Sequence, residues 1–184
     1  MVAPLPSVPR GIAAELIERC GDDVRFLHHR RGQRPGKAVI PLVAIAASGI
    51  YVIGTPDHAA EIRPRRERGR TVEVLDLGEA DPAAVLDDLG RQLAAVRSAL
   101  AGHGFGRPVT AHSLLCLRPR SGSLVGSPTV AGVPLLTPLG TARVLTGPGH
   151  LDGAVRQAVY EHLDRHLPPG EHARTNRAQP MPHP

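Results

Sequence analysis

A chain of 184 residues, 41% apolar and 21% charged, has enough material for one domain with a real core and too little for two ordinary ones. Aromatics make up 2% and tryptophan is absent, so the core has to be built from Leu, Val, Ile and Ala. The net charge is +5, and of 22 basic residues only Lys37 is a lysine. The planar fork of Arg pairs two phosphate oxygens at once. A coding preference for Arg produces the same excess with no ligand behind it, so the charge admits nucleic acid without requiring it.

The two cysteines, Cys20 and Cys116, exclude a disulfide framework, and Cys116 inside the run LLCL reads as a small buried hydrophobe. The first ten residues, MVAPLPSVPR, carry three prolines and no apolar stretch of the kind a signal peptide needs. The longest apolar run, Ala38 to Gly54, is broken by Pro41 and Ser48-Gly49, which excludes a membrane helix of about 20 residues. A soluble cytoplasmic protein with no membrane partner is the expectation.

In chain order, residues 1–10 have the composition of a disordered lead, and residues 11–169 are expected to form the domain. Ile12 to Arg19 reads as a short amphipathic helix with Ile12, Leu16 and Ile17 on one face, stopped by Gly21. Val24 to His28 reads as a strand, followed by a basic, turn-prone loop from Arg30 to Lys37. Two strands follow, roughly 38–46 and 50–54, joined at Ser48-Gly49. Their nearly continuous apolar character requires cover on both faces, as in a central sheet flanked by helices. Pro41 cannot donate to a ladder, so a bulge is expected there.

A hairpin follows, with Glu61-Ile62-Arg63 and Thr71 to Leu75 flanking an arginine-rich tip from Pro64 to Gly69. Asp81 is a candidate cap and Pro82 a first-turn residue for a helix running to about Gly102, with Val85, Leu89, Leu93, Val96 and Leu100 as its buried stripe. Pro108 to Leu117 and Thr129 to Leu136 read as strands. Helices are expected from Pro138 to Leu145 and from His150 to Leu167, the last stopped by Pro168-Pro169. Residues 170–184 are polar and proline-bearing, the composition of a disordered tail. The order predicts an α/β domain, a mixed sheet flanked by helices.

Several segments, in order, resemble the nuclease-related (NERD) family of the restriction-endonuclease-like PD-(D/E)xK superfamily. HHRRGQRPGKAVI resembles its leading strand end, basic loop and the Ile preceding a catalytic Asp. SGIYVIG resembles the second catalytic strand, and GRQLAAVRSAL a helix with a characteristic Gln, here Gln92. LLCLRPRSGSLVGSPTVAGVPLLTP resembles the next strand pair, and LTGPGHLDGAVRQAVYEHLDRHLPP the closing helix and its proline stop. The resemblance covers roughly Val24 to Pro169. It implies a restriction-endonuclease-like core with its metal site on the two central strands.

The same resemblance marks the positions where the chemistry is missing. Pro41 stands where the family has the catalytic Asp, Leu42 where it has a His, and Gly54-Thr55-Pro56 where it has Asp/Glu-x-Lys. Such nucleases hold Mg²⁺ between carboxylates, with a Lys positioning the attacking water. Neither Pro41 nor Gly54 offers a ligand, Pro56 is no ammonium, and Lys37 lies before the first strand. The expected protein is therefore a pseudoenzyme with no catalytic residues, no metal ligands and no cofactor. Glu15 is at most a stand-in for the Glu of the family's N-terminal helix.

The alternative is a working Mg²⁺-dependent nuclease whose ligands have moved to Asp57 and Glu61, with Glu61-Ile62-Arg63 mimicking an E-x-K step. Arg63 is too basic to exchange a proton near neutral pH, and Asp57-His58 has the look of an ordinary turn. His28-His29 point to opposite faces of a strand and cannot chelate together. His162 and His166, one turn apart, read as a solvent-facing pair, and Ser113 and Cys116 have no flanking nucleophile motif.

The strongest binding candidate is the basic tip, with Arg63, Arg65, Arg66, Arg68 and Arg70 as contacts to a DNA or RNA phosphate backbone. No aromatics are interleaved with them for base stacking. A protein partner, with the arginines serving only solubility, is the remaining reading.

Overall fold

The computed structural model describes residues 11–32, 38–56, 61–67, 70–78, 80–106, 108–119 and 128–170, with the side chains of 61–74 outside that description. Helix α1 (Ile12–Cys20) leads into strands β1 (Arg25–Arg31), β2 (Val39–Ala46) and β3 (Gly49–Gly54). A ribbon of β4 (Glu61–Glu67) and β5 (Arg70–Asp76) precedes α2 (Pro82–Leu100), β6 (Ala111–Cys116), β7 (Thr129–Val130) and β8 (Val133–Leu136). Helices α3 (Pro138–Leu145) and α4 (Gly153–His166) close the described chain.

Six strands form one mixed sheet in the order β1-β2-β3-β6-β8-β7. The first three are an antiparallel meander, and β6 joins β3 in parallel after α2 has carried the chain back. Strand β8 is parallel to β6, and β7 closes the edge antiparallel to β8. The β4–β5 pair is a separate two-stranded sheet.

Both faces of the sheet are covered, as the apolar strands require. On one face Val43, Ile45, Ile50, Val52 and Leu115 pack against Leu89 and Val96 of α2 and Val159 and Leu163 of α4. On the other, Leu42, Ala44, Ile53, Leu114 and Cys116 meet Leu16 and Cys20 of α1 and Ala142 and Leu145 of α3. Strand alternation thus divides each strand between two cores. The chain is an α/β protein with a six-stranded mixed sheet between two helical layers. No described helix is long and apolar enough to cross a membrane.

The helix starts are capped by short polar side chains. Asp81 accepts from Ala83 N at 3.0 Å with Pro82 behind it, as the sequence suggests. Thr137 accepts from Gly140 N at 3.1 Å. Asp152 accepts from Val155 N at 2.9 Å, so α4 begins at Gly153, three residues later than His150.

Other elements also differ from the sequence reading. Thr129–Leu136 is two strands, folded at Ala131 and Gly132, both with positive φ (50° and 78°). Strand β6 begins at Ala111 rather than Pro108, and β1 runs on to Arg31. The ribbon strands reach Glu67 and Arg70, so the turn is far shorter than a tip from Pro64 to Gly69.

The expected bulge at Pro41 takes another form. Pairing of β1 with β2 keeps one register on both sides, from Arg25↔Ile45 to Arg31↔Val39, so no residue is added. Ile40 and Val43, three apart, nonetheless reach the same core, so the alternation slips at Pro41-Leu42. The register partner of Pro41 is His29, which takes a left-handed φ of 44°. Proline has no N–H for the ladder, and the His29 carbonyl accepts from Gly170 N at 2.6 Å instead. Arg31 N donates to Pro168 O at 2.9 Å, so the stretch after α4 covers the outer edge of β1.

Candidate functional site

Strands β2 and β3 pair with Val43 opposite Val52 and Ala46 opposite Gly49. The pairing ends at Val43 and Val52, and Pro41 and Gly54 each lie two residues beyond it, where the two strands part. The two positions at which the family resemblance puts carboxylates therefore lie on neighbouring strands, past their last paired residues. A side chain on Gly54 would enter the core beneath α2. A Cβ built there stands 2.5 Å from Leu115 Cδ2 and 3.6 Å from Leu89 Cδ1. Both leucines are buried. The space an acidic side chain would need is filled with hydrocarbon, and a carboxylate left there would lose its hydration with nothing polar in return.

Above this mouth lies α2, three residues per step: Leu89 meets the Gly54 position, and Ala95 lies 3.1 Å from where a Cβ on Gly32 would be. Gln92 sits between them and is buried at 5% exposure. Its Nε2 donates to Asp88 Oδ2 at 2.7 Å, and its Oε1 has no partner. Asp88 also accepts from Arg91 at 3.0 Å. Gln92 is thus a buried amide of α2. A buried amide oxygen without a donor is uncommon and unfavourable, and this one lies on the helix that covers the strand mouth.

The basic ribbon is described in its backbone. Arg63 pairs with Val74, Arg65 with Val72, Arg66 with Thr71 and Glu67 with Arg70. Arg63, Arg65 and Arg70 hence occupy register positions of one parity, and Arg66 the other. Arg68, Lys37, Asp57 and His58 lie outside the described residues. Glu61 pairs with Asp76 at the base of the ribbon, within β4 and not on the central sheet. Among the described residues no three His, Cys, Asp or Glu side chains converge as a metal-holding group.

Glu15 is committed elsewhere. Its Oε1 accepts from Arg19 Nε at 3.0 Å, and its Oε2 from Arg118 at 2.8 Å, so it bridges α1 to the end of β6. Cys116 is buried as expected, and burial pushes its thiol up to about 11. A thiol held protonated is no nucleophile, which agrees with the missing motif. Burial likewise pushes the His28 imidazole down to about 4, with His29 and Arg30 adding to the shift.

His162 corrects the sequence reading: it is buried and stacked on His166, not part of a solvent-facing pair. Its neighbours His103 and Phe105, in the coil after α2, carried no signal in the sequence. The same is true of Leu115, whose place over Gly54 depends on which strand lies beside β3.

Comparison with known proteins gave no matching family model, no matching curated protein and no matching solved structure.

Proposed function

We propose that the protein is a catalytically degenerate nuclease-related module, built on a restriction-endonuclease-like core, that binds the phosphate backbone of nucleic acid through its basic ribbon. The observation that carries the degenerate half is the mouth of β2 and β3. There Pro41 and Gly54 lie just past the last paired residues of the two strands, Leu115 occupies the side-chain space of Gly54, and Leu89 borders it. Loss of ligands alone leaves a polar cavity that a neighbouring carboxylate can re-equip. Hydrocarbon in that space leaves no room for a hydrated Mg²⁺, which keeps several of its waters when bound. The topology supports the core assignment: an antiparallel three-strand meander followed by a helical crossover to a parallel strand.

The binding half rests on the net charge of +5 and on Arg63, Arg65 and Arg70 at same-parity positions of one ribbon. Arginines paired with phosphates release counterions, so affinity falls with salt in proportion to the number of contacts. From about 50 to about 200 mM salt, three contacts lower affinity roughly 40-fold and five roughly 500-fold. Fluorescence anisotropy of a labelled short duplex measures this. The triple variant Arg63→Ser, Arg65→Ser, Arg70→Ser is expected to flatten the salt slope by about 3. No binding at low salt, or a flat salt response in the wild type, rejects the nucleic-acid half. Plasmid cleavage with Mg²⁺ or Mn²⁺ that EDTA blocks and Glu61→Ala abolishes rejects the degenerate half.

A further inference from the structure

A cluster of titratable groups away from the strand mouth lies where α2 ends against α4. His103 and Phe105 follow α2, and His162 and His166 stand one turn apart on α4. The ring centroids of His103 and His162 are 4.2 Å apart, and those of His162 and His166 are 4.0 Å apart with planes 24° from parallel. Phe105 meets His162 edge-on at 5.5 Å. His162 is therefore the middle ring of a three-imidazole stack. The stack borders a cleft of about 210 Å³ whose other walls are small, among them Ala95, Ser98, Ala99 and Gly102.

Hydrogen bonds assign the tautomers of two rings. His162 Nε2 lies 2.7 Å from Ala99 O, and His166 Nδ1 lies 2.8 Å from His162 O. A carbonyl only accepts, so both of these nitrogens carry the proton. His162 Nδ1 and His166 Nε2 are then the basic atoms. In the neutral cluster His162 and His166 are hydrogen-bonded and stacked, and His103 packs on His162 with its plane tilted by 32°.

Protonation changes that balance. The charged groups nearest the stack on α4 are Arg165, also cationic, Asp164, paired with Arg30 of β1 at 2.6 Å, and Glu161, which accepts from Gln157. Arg30 further donates to Leu167 O at the rim of the cleft. On α2, Arg97 is turned to Ala111 O. Among the described residues no carboxylate is hydrogen-bonded or ion-paired to any of the three rings. The carbonyls at the C-terminal end of α2 favour one positive charge. A second, some 4 Å from the first, has no anionic partner among the described residues and is met only by water, which reaches the exposed His103 and half-buried His166. The lowered proton affinity of His162 agrees: burial depresses it first, the Ala99 carbonyl opposes, and His166, His103 and Arg165 add. The three rings do not form a metal-holding group among the described residues.

We propose that His103, His162 and His166 form a proton-operated latch: neutral, the stack holds α4 to the C-terminal end of α2; doubly protonated, it releases that junction and opens the cleft.

Two measurements on the full chain test this. One is histidine Cε1-proton NMR across the acidic range. The other is amide hydrogen exchange, corrected for its intrinsic pH dependence. The expected result is that His162 titrates below the ordinary histidine value and that its titration depends on the charge of its two ring neighbours. Protection of amides in 100–106 and 162–167 should fall about tenfold or more from about pH 7 to about pH 5, while that of β3 holds. The double variant His103→Phe with His166→Phe keeps a ring stack but removes two of the protons, and is expected to abolish most of that local loss. Three independent titrations near the ordinary value, or protection in 100–106 that is insensitive to pH, overturns the latch. If the double variant fails to fold, the two wild-type measurements decide by themselves.

Discussion

The Leu115 side chain lies over Gly54, its register partner across the parallel β3–β6 pair, with Cδ2 2.5 Å from the point where a Cβ on Gly54 would stand. A glycine at the end of a central strand thus serves as the floor of a hydrophobic contact. Gly54→Ala is expected to lose about 1–3 kcal/mol, from overpacking against Leu115. Gly54→Asp is expected to lose more, because it adds the burial of a carboxylate among leucines. Urea unfolding of both variants, alone and with Leu115→Ala, forms a double-mutant cycle. A coupling of about 0.5–3 kcal/mol is expected, and strictly additive losses would mean the two side chains do not share this space.

Gly149 in the closing GPG turn sits against the backbone of the β2–β3 turn, where a Cβ would run into Ala47 O and Ser48 N. Leu151 N donates to Ala47 O at 3.0 Å in the same contact. Backbone cannot swing aside as a side-chain end can. Gly149→Ala is therefore expected to cost about 2 kcal/mol or more, whereas Gly90→Ala, on the exposed side of α2 with nothing within 4 Å, is expected to be neutral or stabilising. Thermal melts of the pair distinguish backbone contact from a general intolerance of Ala for Gly.

His28 gives the fold an acid-side weakness. Its folded pKa of about 4 lies below the ordinary 6.5, so between those values the unfolded chain binds the extra proton. Its contribution is complete above about pH 6.5 and is lost as the pH falls toward 4, by up to about 3 kcal/mol. His28→Leu should flatten that part of the stability–pH curve, read by urea midpoints from about pH 7 to about 4. An unchanged slope would assign the acid sensitivity to other groups, the histidine stack first among them.

Arg30 fastens the end of α4 to β1. Its Nη2 pairs with Asp164 at 2.6 Å, its Nη1 donates to Leu167 O at 3.3 Å, and its side chain is 12% exposed. Arg30→Ala leaves both acceptors unmet and is expected to cost about 1–3 kcal/mol. Asp164 is 46% exposed, so Asp164→Ala is expected to cost less, within about 1 kcal/mol. Exchange at the Leu167 and Gly170 amides, in the stretch that covers the edge of β1, should rise in the first variant and little in the second. Equal effects would place the whole contribution in the ion pair.

Much of this architecture was legible locally. The three- and four-residue steps of Val85, Leu89, Leu93, Val96 and Leu100 locate α2 and its buried side, and Asp81-Pro82 locates its start, because helix periodicity and capping are properties of neighbouring residues. The apolar runs of β2 and β3 likewise announce a central sheet covered on both faces. Elements set by special backbone conformations were read less well. Nothing in TVAGVPLL signals that Ala131 joins Gly132 at positive φ, and the slip at Pro41 is absorbed by His29, twelve residues upstream.

Composition and local pattern alone establish an α/β chain rich in arginine, with two apolar strands and no side-chain ligand at Pro41 or Gly54. It takes the folded sheet to bring the ends of β2 and β3 side by side, to set Leu115 against Gly54 beneath α2, and to bury His162 among rings rather than leave it exposed. Residue periodicity encodes which face of an element is buried. What occupies the space beyond that face is supplied by segments some 60 residues away, as Leu115 is to Gly54 and His162 to Ala99, and is settled only when the sheet order brings them together.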